Sequence, residues 1–154
     1  MNEILEQLLL EENQIQFTAF NEDTAWKIGC WLVDYATQNK LPIVIDIQLN
    51  GHQLFHASRP GTSPDNDAWV KRKIRLVNHF GHSSFYIGQL LKSEEKSIEE
   101  KFLLPASEFA AHGGCFPIIL KETGVVGTIT ISGLPQEEDH KVAVLALRTY
   151  LEGA

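Results

Sequence analysis

Histidines, a glycine pair and a late acidic helix start carry the chemistry that this chain can be expected to do. His79 and His82 flank Phe80-Gly81 and give the H-x-x-H spacing of a metal-ligating pair. On one continuous helix, residues i and i+3 share a face. Gly81 is expected to end the helix between them, so the competing expectation is that His79 serves the last-turn carbonyls and His82 caps the next helix. His112-Gly113-Gly114-Cys115 sets an imidazole and a thiol beside two glycines whose backbone N–H groups can approach a ligand. A Cys–His nucleophile needs hydrogen-bond reach and a low thiol pKa. Without them the glycines make a strand-entry turn, Cys115 fills core, and the loop serves as a pocket wall. Ser132-Gly133 precedes Asp139-His140 and reads as a ligand lip. Asp139, His140, His112 and His56 would together make a carboxylate–imidazole cluster around one cavity. Lys71, Arg72, Lys73 and Arg75 are four of the 13 basic residues. Arg72 or Arg75 could hold a ligand carboxylate or propionate bidentately, or acidic residues of another subunit. The plainer expectation for this run is a solvated helix face.

The elements that must position these residues follow from periodicity and punctuation. Residues 3–12 and 22–39 place apolar residues at helical spacing, with Asn21 or Asp23 as cap and Pro42 as the stop. Gln14 to Phe17 can form a short strand between them. Ile43–Leu49 and His52–Ala57 are strand-like runs joined by Asn50-Gly51, a type I′ hairpin signal because both residues need positive φ. Asp46 in the first run is expected at the polar, solvent-facing side. Ser63 as N-cap and Pro64 at the first helical position open a helix that runs to Phe80. A further helix is expected over 83–91, an exposed charged stretch over 93–100, and an extended piece over 102–106. Cys115–Leu120 and Val125–Ile131 make a second hairpin, with Gly127, Ile129 and Ile131 on one face and Thr128 and Thr130 on the other. A closing helix spans 136–151. Trp26, Trp31 and Trp69 are expected as core or interface anchors. Two hairpins interleaved with helices imply an α+β domain built on one antiparallel sheet.

Composition sets the outer limits. The chain has 154 residues, 44% hydrophobic and 21% charged, with a net charge of −7, which suits one globular domain over residues 1–154. The acidic balance argues against nucleic acid as partner. No apolar run reaches membrane-spanning length, and the acidic first residues lack a signal-peptide pattern. Two cysteines make no disulfide framework, so a cytoplasmic protein with reduced thiols is expected. Residues 69–82 contain no acid, so the other nine basic residues face all 20 acids. That asymmetry suits identical subunits pairing, or capture of a small anion. No phosphate loop, dinucleotide fingerprint, H-E-x-x-H or G-x-S-x-G element occurs.

Several runs also carry a family likeness. They are Phe55-His56-Ala57, Pro60-Gly61-Thr62-Ser63-Pro64-Asp65-Asn66-Asp67-Ala68-Trp69, His79-Phe80-Gly81-His82-Ser83-Ser84, His112-Gly113-Gly114-Cys115-Phe116-Pro117-Ile118 and Val126–Leu134, with Asp139-His140 beyond. In them the chain resembles the haem-degrading-domain family, the GlcG/HbpS-like group, and within it a small cytosolic branch. The resemblance implies a profilin-like three-layer fold with hairpins 43–57 and 116–131 covered by helices, and symmetric homo-oligomers. Some members of that group bind or break down haem, and others accompany glycolate-utilisation or cobalamin-related functions. Three readings follow: an oligomeric small-molecule or protein-binding protein, a haem- or tetrapyrrole-binding or degrading protein, and a metal-dependent enzyme using a His/Asp cluster.

Overall fold

The computed structural model describes residues 2–153. Its elements in chain order are α1 (Glu3–Gln14), α2 (Glu22–Gln38), β1 (Val44–Leu49), β2 (His52–Ser58), α3 (Pro64–Phe80), α4 (Ser84–Ser93), α5 (Ile98–Phe102), β3 (Cys115–Leu120), β4 (Gly124–Ser132) and α6 (Gln136–Gly153). The strands form one antiparallel sheet in the order β2-β1-β4-β3. Asn50 and Gly51 both adopt positive φ, as the tight β1–β2 turn demands. Segment 14–17 contributes a single parallel bridge, Phe17 to Leu120, on the outer edge of β3.

Strand alternation gives the sheet two different faces. Ile45, Ile47, Phe116, Ile118, Ile129 and Ile131 point to one side. There they meet Ala25, Ile28, Leu32 and Ala36 of α2 and Ala143, Ala146 and Leu147 of α6. The other side lies under α3, where Val70, Ile74 and Val77 pack on Val44 and Cys115. That second face also buries Asp46, Thr128, Thr130 and Ser132. The result is the expected α+β arrangement in three layers, helices–sheet–helix. A separate cluster of Leu76, Ile87, Leu91 and Ile98 holds α4 and α5 against the outer flank of α3.

Three local expectations are corrected. Asp46 does not face solvent but is 1% exposed, because α3 covers the polar face of its strand. The stretch 93–100 is exposed apart from Ile98, and its end is helical, since Ser97 caps the short helix α5 through a reciprocal bond with Glu100. Its Ile98 is buried, and Phe102 ends that helix rather than starting an extended piece. Trp26 is 63% exposed and stands T-shaped to Phe55, so it anchors no core.

Candidate functional site

α3 is amphipathic, and its buried stripe reads Val70, Lys73, Ile74, Val77 at helical spacing, with Trp69 half-buried at its start. Lys73 therefore points inward with the apolar residues, not outward with Lys71 and Arg75. It is 3% exposed. Its ammonium donates to the Ile131 carbonyl at 3.1 Å and to Asp139 Oδ2 at 3.3 Å. Asp139 stands in the first turn of α6 and is equally buried, and its Oδ1 accepts the Leu134 N–H at 3.0 Å. The pair thus joins the middle of α3, the end of β4 and the start of α6.

Two glycines make this approach possible. A Cβ at Gly113 would lie 2.3 Å from the Gln136 carbonyl oxygen. Instead its N–H donates to the Gln136 side chain at 3.0 Å, which ties the loop to the start of α6. Gly114 has φ +137°, and a Cβ there would stand 2.3 Å from the Ile131 oxygen and 2.6 Å from Lys73 Nζ. Only glycine fits a backbone that passes this close to the ammonium.

Above the pair opens a cavity of ≈ 350 Å³, within the size range of small-molecule sites. Lys73, Asp139, Ser132 and Gly133 line it together with Asn66, Trp69, His112, Leu134 and Gln136. His112 sits edge-on to Trp69 with ring centroids 5.3 Å apart. Trp69 is therefore a cavity wall as well as a packing anchor. Burial pushes the Asp139 carboxyl up to about 6, against the opposing pull of Lys73 and of the Leu134 and Gly133 N–H groups. Burial also lowers Lys73, with Asp139 acting in the other direction. In both groups desolvation outweighs mutual attraction, so burial brings the proton affinities of the amine and the carboxylate closer together. His112 is lowered too, by burial and by the charges of Lys73 and Arg72, which keeps its imidazole neutral at neutral pH. The site thus holds a lysine, a carboxyl group and a neutral imidazole around one small space.

The other residues singled out from sequence lie elsewhere. His56 bridges Asp46 (2.9 Å) and Asp67 (3.2 Å), fastening the start of α3 to the sheet. Arg72 lies over the Trp69 ring and donates to the Ala106 carbonyl at 2.6 Å, while Arg75 reaches the Glu108 carbonyl at 3.4 Å. Both arginines hold the 105–110 segment against α3. Gly81 ends α3 in a left-handed conformation, which turns the two histidines apart. His79 is exposed and packs on Phe80 and Phe109. His82 donates to Glu12 at 2.7 Å, and that hydrogen bond raises it above the ordinary histidine value. Ser83, not His82, caps α4. His140 is buried between Phe85 and Phe116 and pairs with Glu11 at 2.9 Å. Of the imagined cluster of His56, His112, Asp139 and His140, only His112 and Asp139 share the cavity. Among the described residues, no group of three His, Cys, Asp or Glu side chains is placed to hold a metal ion. Cys115 is fully buried and its thiol is pushed up to about 12, so it is core filler rather than a nucleophile.

Lys73 is the residue that sequence reasoning missed. It was grouped with its basic neighbours as a solvated run. The available signal was its phase, four residues after Trp69 and four before Val77.

Comparison with known proteins agrees with the fold. Residues 20–148 match the family described as "Haem degrading protein HbpS-like". A UPF0303 protein of Streptomyces coelicolor is 43% identical over 92% of this chain and 89% of its own length. One from Rhizobium meliloti is 46% identical over 96% of this chain and 90% of its own. Among solved structures, the Ybr137w protein superposes with a TM-score of 0.91 at 37% identity, covering 99% of this chain and 90% of that one. The PduOC:haem complex shares the fold alone, with a TM-score of 0.69 at 16% identity over 84% of this chain and 94% of that one. Among the described residues no helix is long and apolar enough to cross a membrane. The chain belongs to the HbpS-like haem-degrading-domain family, and its close relatives are UPF0303 proteins.

Proposed function

We propose that this protein is a cytoplasmic small-molecule-binding domain that takes a small organic anion into the cavity over Lys73. One observation carries the reading: a buried ammonium and a buried carboxyl group form the floor of an open cavity rather than the middle of a packed core. A buried ion pair contributes little net stability. Here it stands ready to exchange one partner for a ligand, since Asp139, already pushed up to about 6, can take a proton when a second anion meets Lys73. Calorimetry with lactate, succinate and pyruvate tests this. Binding of at least one, with proton uptake and loss in Lys73→Met, is expected. No binding by any, or equal binding by the variant, overturns the reading.

Haem is the second reading, supported by the family's description and by the one imidazole that lines the cavity. Were haem bound, His112 would be the residue to hold its iron. Lys73 in the lining, and Arg72 over the ring of the wall residue Trp69, would supply positive charge for propionates. Titration with haemin gives a shifted Soret band, lost in His112→Ala, if this reading holds, and an unshifted spectrum if it does not.

Either ligand would be held in a homo-oligomer. The exposed Trp26 beside edge strand β2, and the acid-free segment 69–82 against an otherwise acidic chain, support this assembly. Light scattering measures it directly.

A further inference from the structure

The same floor has the parts for covalent capture. We propose that Lys73 condenses with a small oxo acid in the cavity to form a Schiff base, with Asp139 as the proton carrier. This rests on the reading that the cavity is the ligand site.

The geometry supplies each requirement. Lys73 lines the cavity, and its Nζ has no side chain at position 114 against it, where a Cβ would stand 2.6 Å away. Asp139 Oδ2 lies 3.3 Å from the same nitrogen, within a short proton transfer. Burial of the pair disfavours the ammonium, and an amine must lose its proton to attack. The only thiol beside it, Cys115, is sealed in the core and held protonated, so the amine is the better nucleophile. His112 at the cavity wall is kept neutral and can accept a hydrogen bond from the adduct's hydroxyl.

The step balances without an oxidant or reductant. The Lys73 ammonium gives a proton to the Asp139 carboxylate. Its lone pair then forms the C–N bond to the carbonyl carbon, and the carbonyl oxygen takes the proton from Asp139. The nitrogen, now cationic, returns a proton to Asp139. In the carbinolamine, Asp139 protonates the hydroxyl, which leaves as water while the nitrogen lone pair forms C=N. One ammonium and one carbonyl become one protonated imine and one water.

The test uses the full chain incubated near pH 6.5 with pyruvate and cyanoborohydride, and with lactate as the counterpart lacking a carbonyl. Intact mass should show one carboxyethyl group with pyruvate and none with lactate. Peptide mapping should place it on Lys73, labelled faster than exposed lysines such as Lys71, since burial that disfavours the ammonium frees more of the attacking amine. Asp139→Asn should slow labelling, and Lys73→Arg should remove it while circular dichroism reports an unchanged fold. The wild-type labelling itself needs no variant to fold. Labelling no faster at Lys73 than at Lys71 overturns the proposal. If lactate and pyruvate both bind by calorimetry yet Lys73 stays unlabelled, the anion site survives and the covalent step falls. If neither binds, the site reading falls first.

Discussion

Two sets of buried or half-buried polar pairs join distant segments of this molecule, and they differ in what lies beside them. Glu12 takes His82 at 2.7 Å and the Ser83 N–H at 3.0 Å, while Glu11 takes His140 at 2.9 Å. These bonds strap α1 to the body of the domain, and protein surrounds His140 on both ring faces. Lys73 and Asp139 also join distant elements, but one side of their pair faces an open cavity. The first set completes packing. The second carries the cost of desolvating two charges where a ligand can reach them. Buried charge therefore marks a candidate site only when there is space beside it.

The sharpest way to break this contrast is to remove one partner of each set. Asp139→Ala leaves Lys73 buried and unpaired, and urea denaturation should show a loss of ~3–5 kcal/mol. The double variant Lys73→Met/Asp139→Leu should recover most of that loss, because no uncompensated charge remains. If the double variant is as unstable as the single one, the pair is a structural strap like the first set. Glu12→Gln keeps the size and removes the charge from two donors. It should cost about 1–3 kcal/mol and speed amide exchange in α1 while sparing the cavity.

The two sets also answer pH in different windows. Asp139 is raised in the folded state from 3.8 to about 6, so the native protein binds more protons than the unfolded chain between those values. Stability should fall as pH rises from about 4 to 6, and Asp139→Asn should lack that slope in melts across the range. His82 is raised above its ordinary 6.5 by Glu12, so its contribution is complete below that value and fades as pH rises through the folded one. His82→Gln should flatten that later decline. The smallest effect belongs to His79→Ala. An exposed ring outside both sets should change stability by about 0.5 kcal/mol or less, and a larger loss of melting temperature would assign His79 a role that its contacts do not show.

Much of the fold was legible in order of residues. The Asn50-Gly51 hairpin, the Ser63-Pro64 helix start, the Gly81 stop and the alternation of Ile129 and Ile131 with Thr128 and Thr130 all depend on neighbours within a few positions. Local backbone preference and a two-residue strand period set them before any tertiary contact exists. Asp46 was misread for a related reason. Alternation says that it opposes Ile45 and Ile47, and not that α3 will lie across that second face.

The site was legible in part. Gly113-Gly114, Ser132-Gly133, His112 and Asp139 were singled out by residue type and do meet at the cavity. His56, His79, His82 and His140 have the same chemistry but face Asp46 and Asp67, solvent, Glu12 and Glu11 respectively. Spacing along the chain cannot tell these cases apart, because each partner lies on another element. Lys73 shows the boundary best. Helical phase alone turns it inward with Val70 and Ile74. Only the packing of α3 across β4 and beside the start of α6 sets Asp139 before it and leaves a cavity above it. Phase is a property of neighbouring residues, whereas burial, pairing and empty space arise from segments 66 residues apart in sequence.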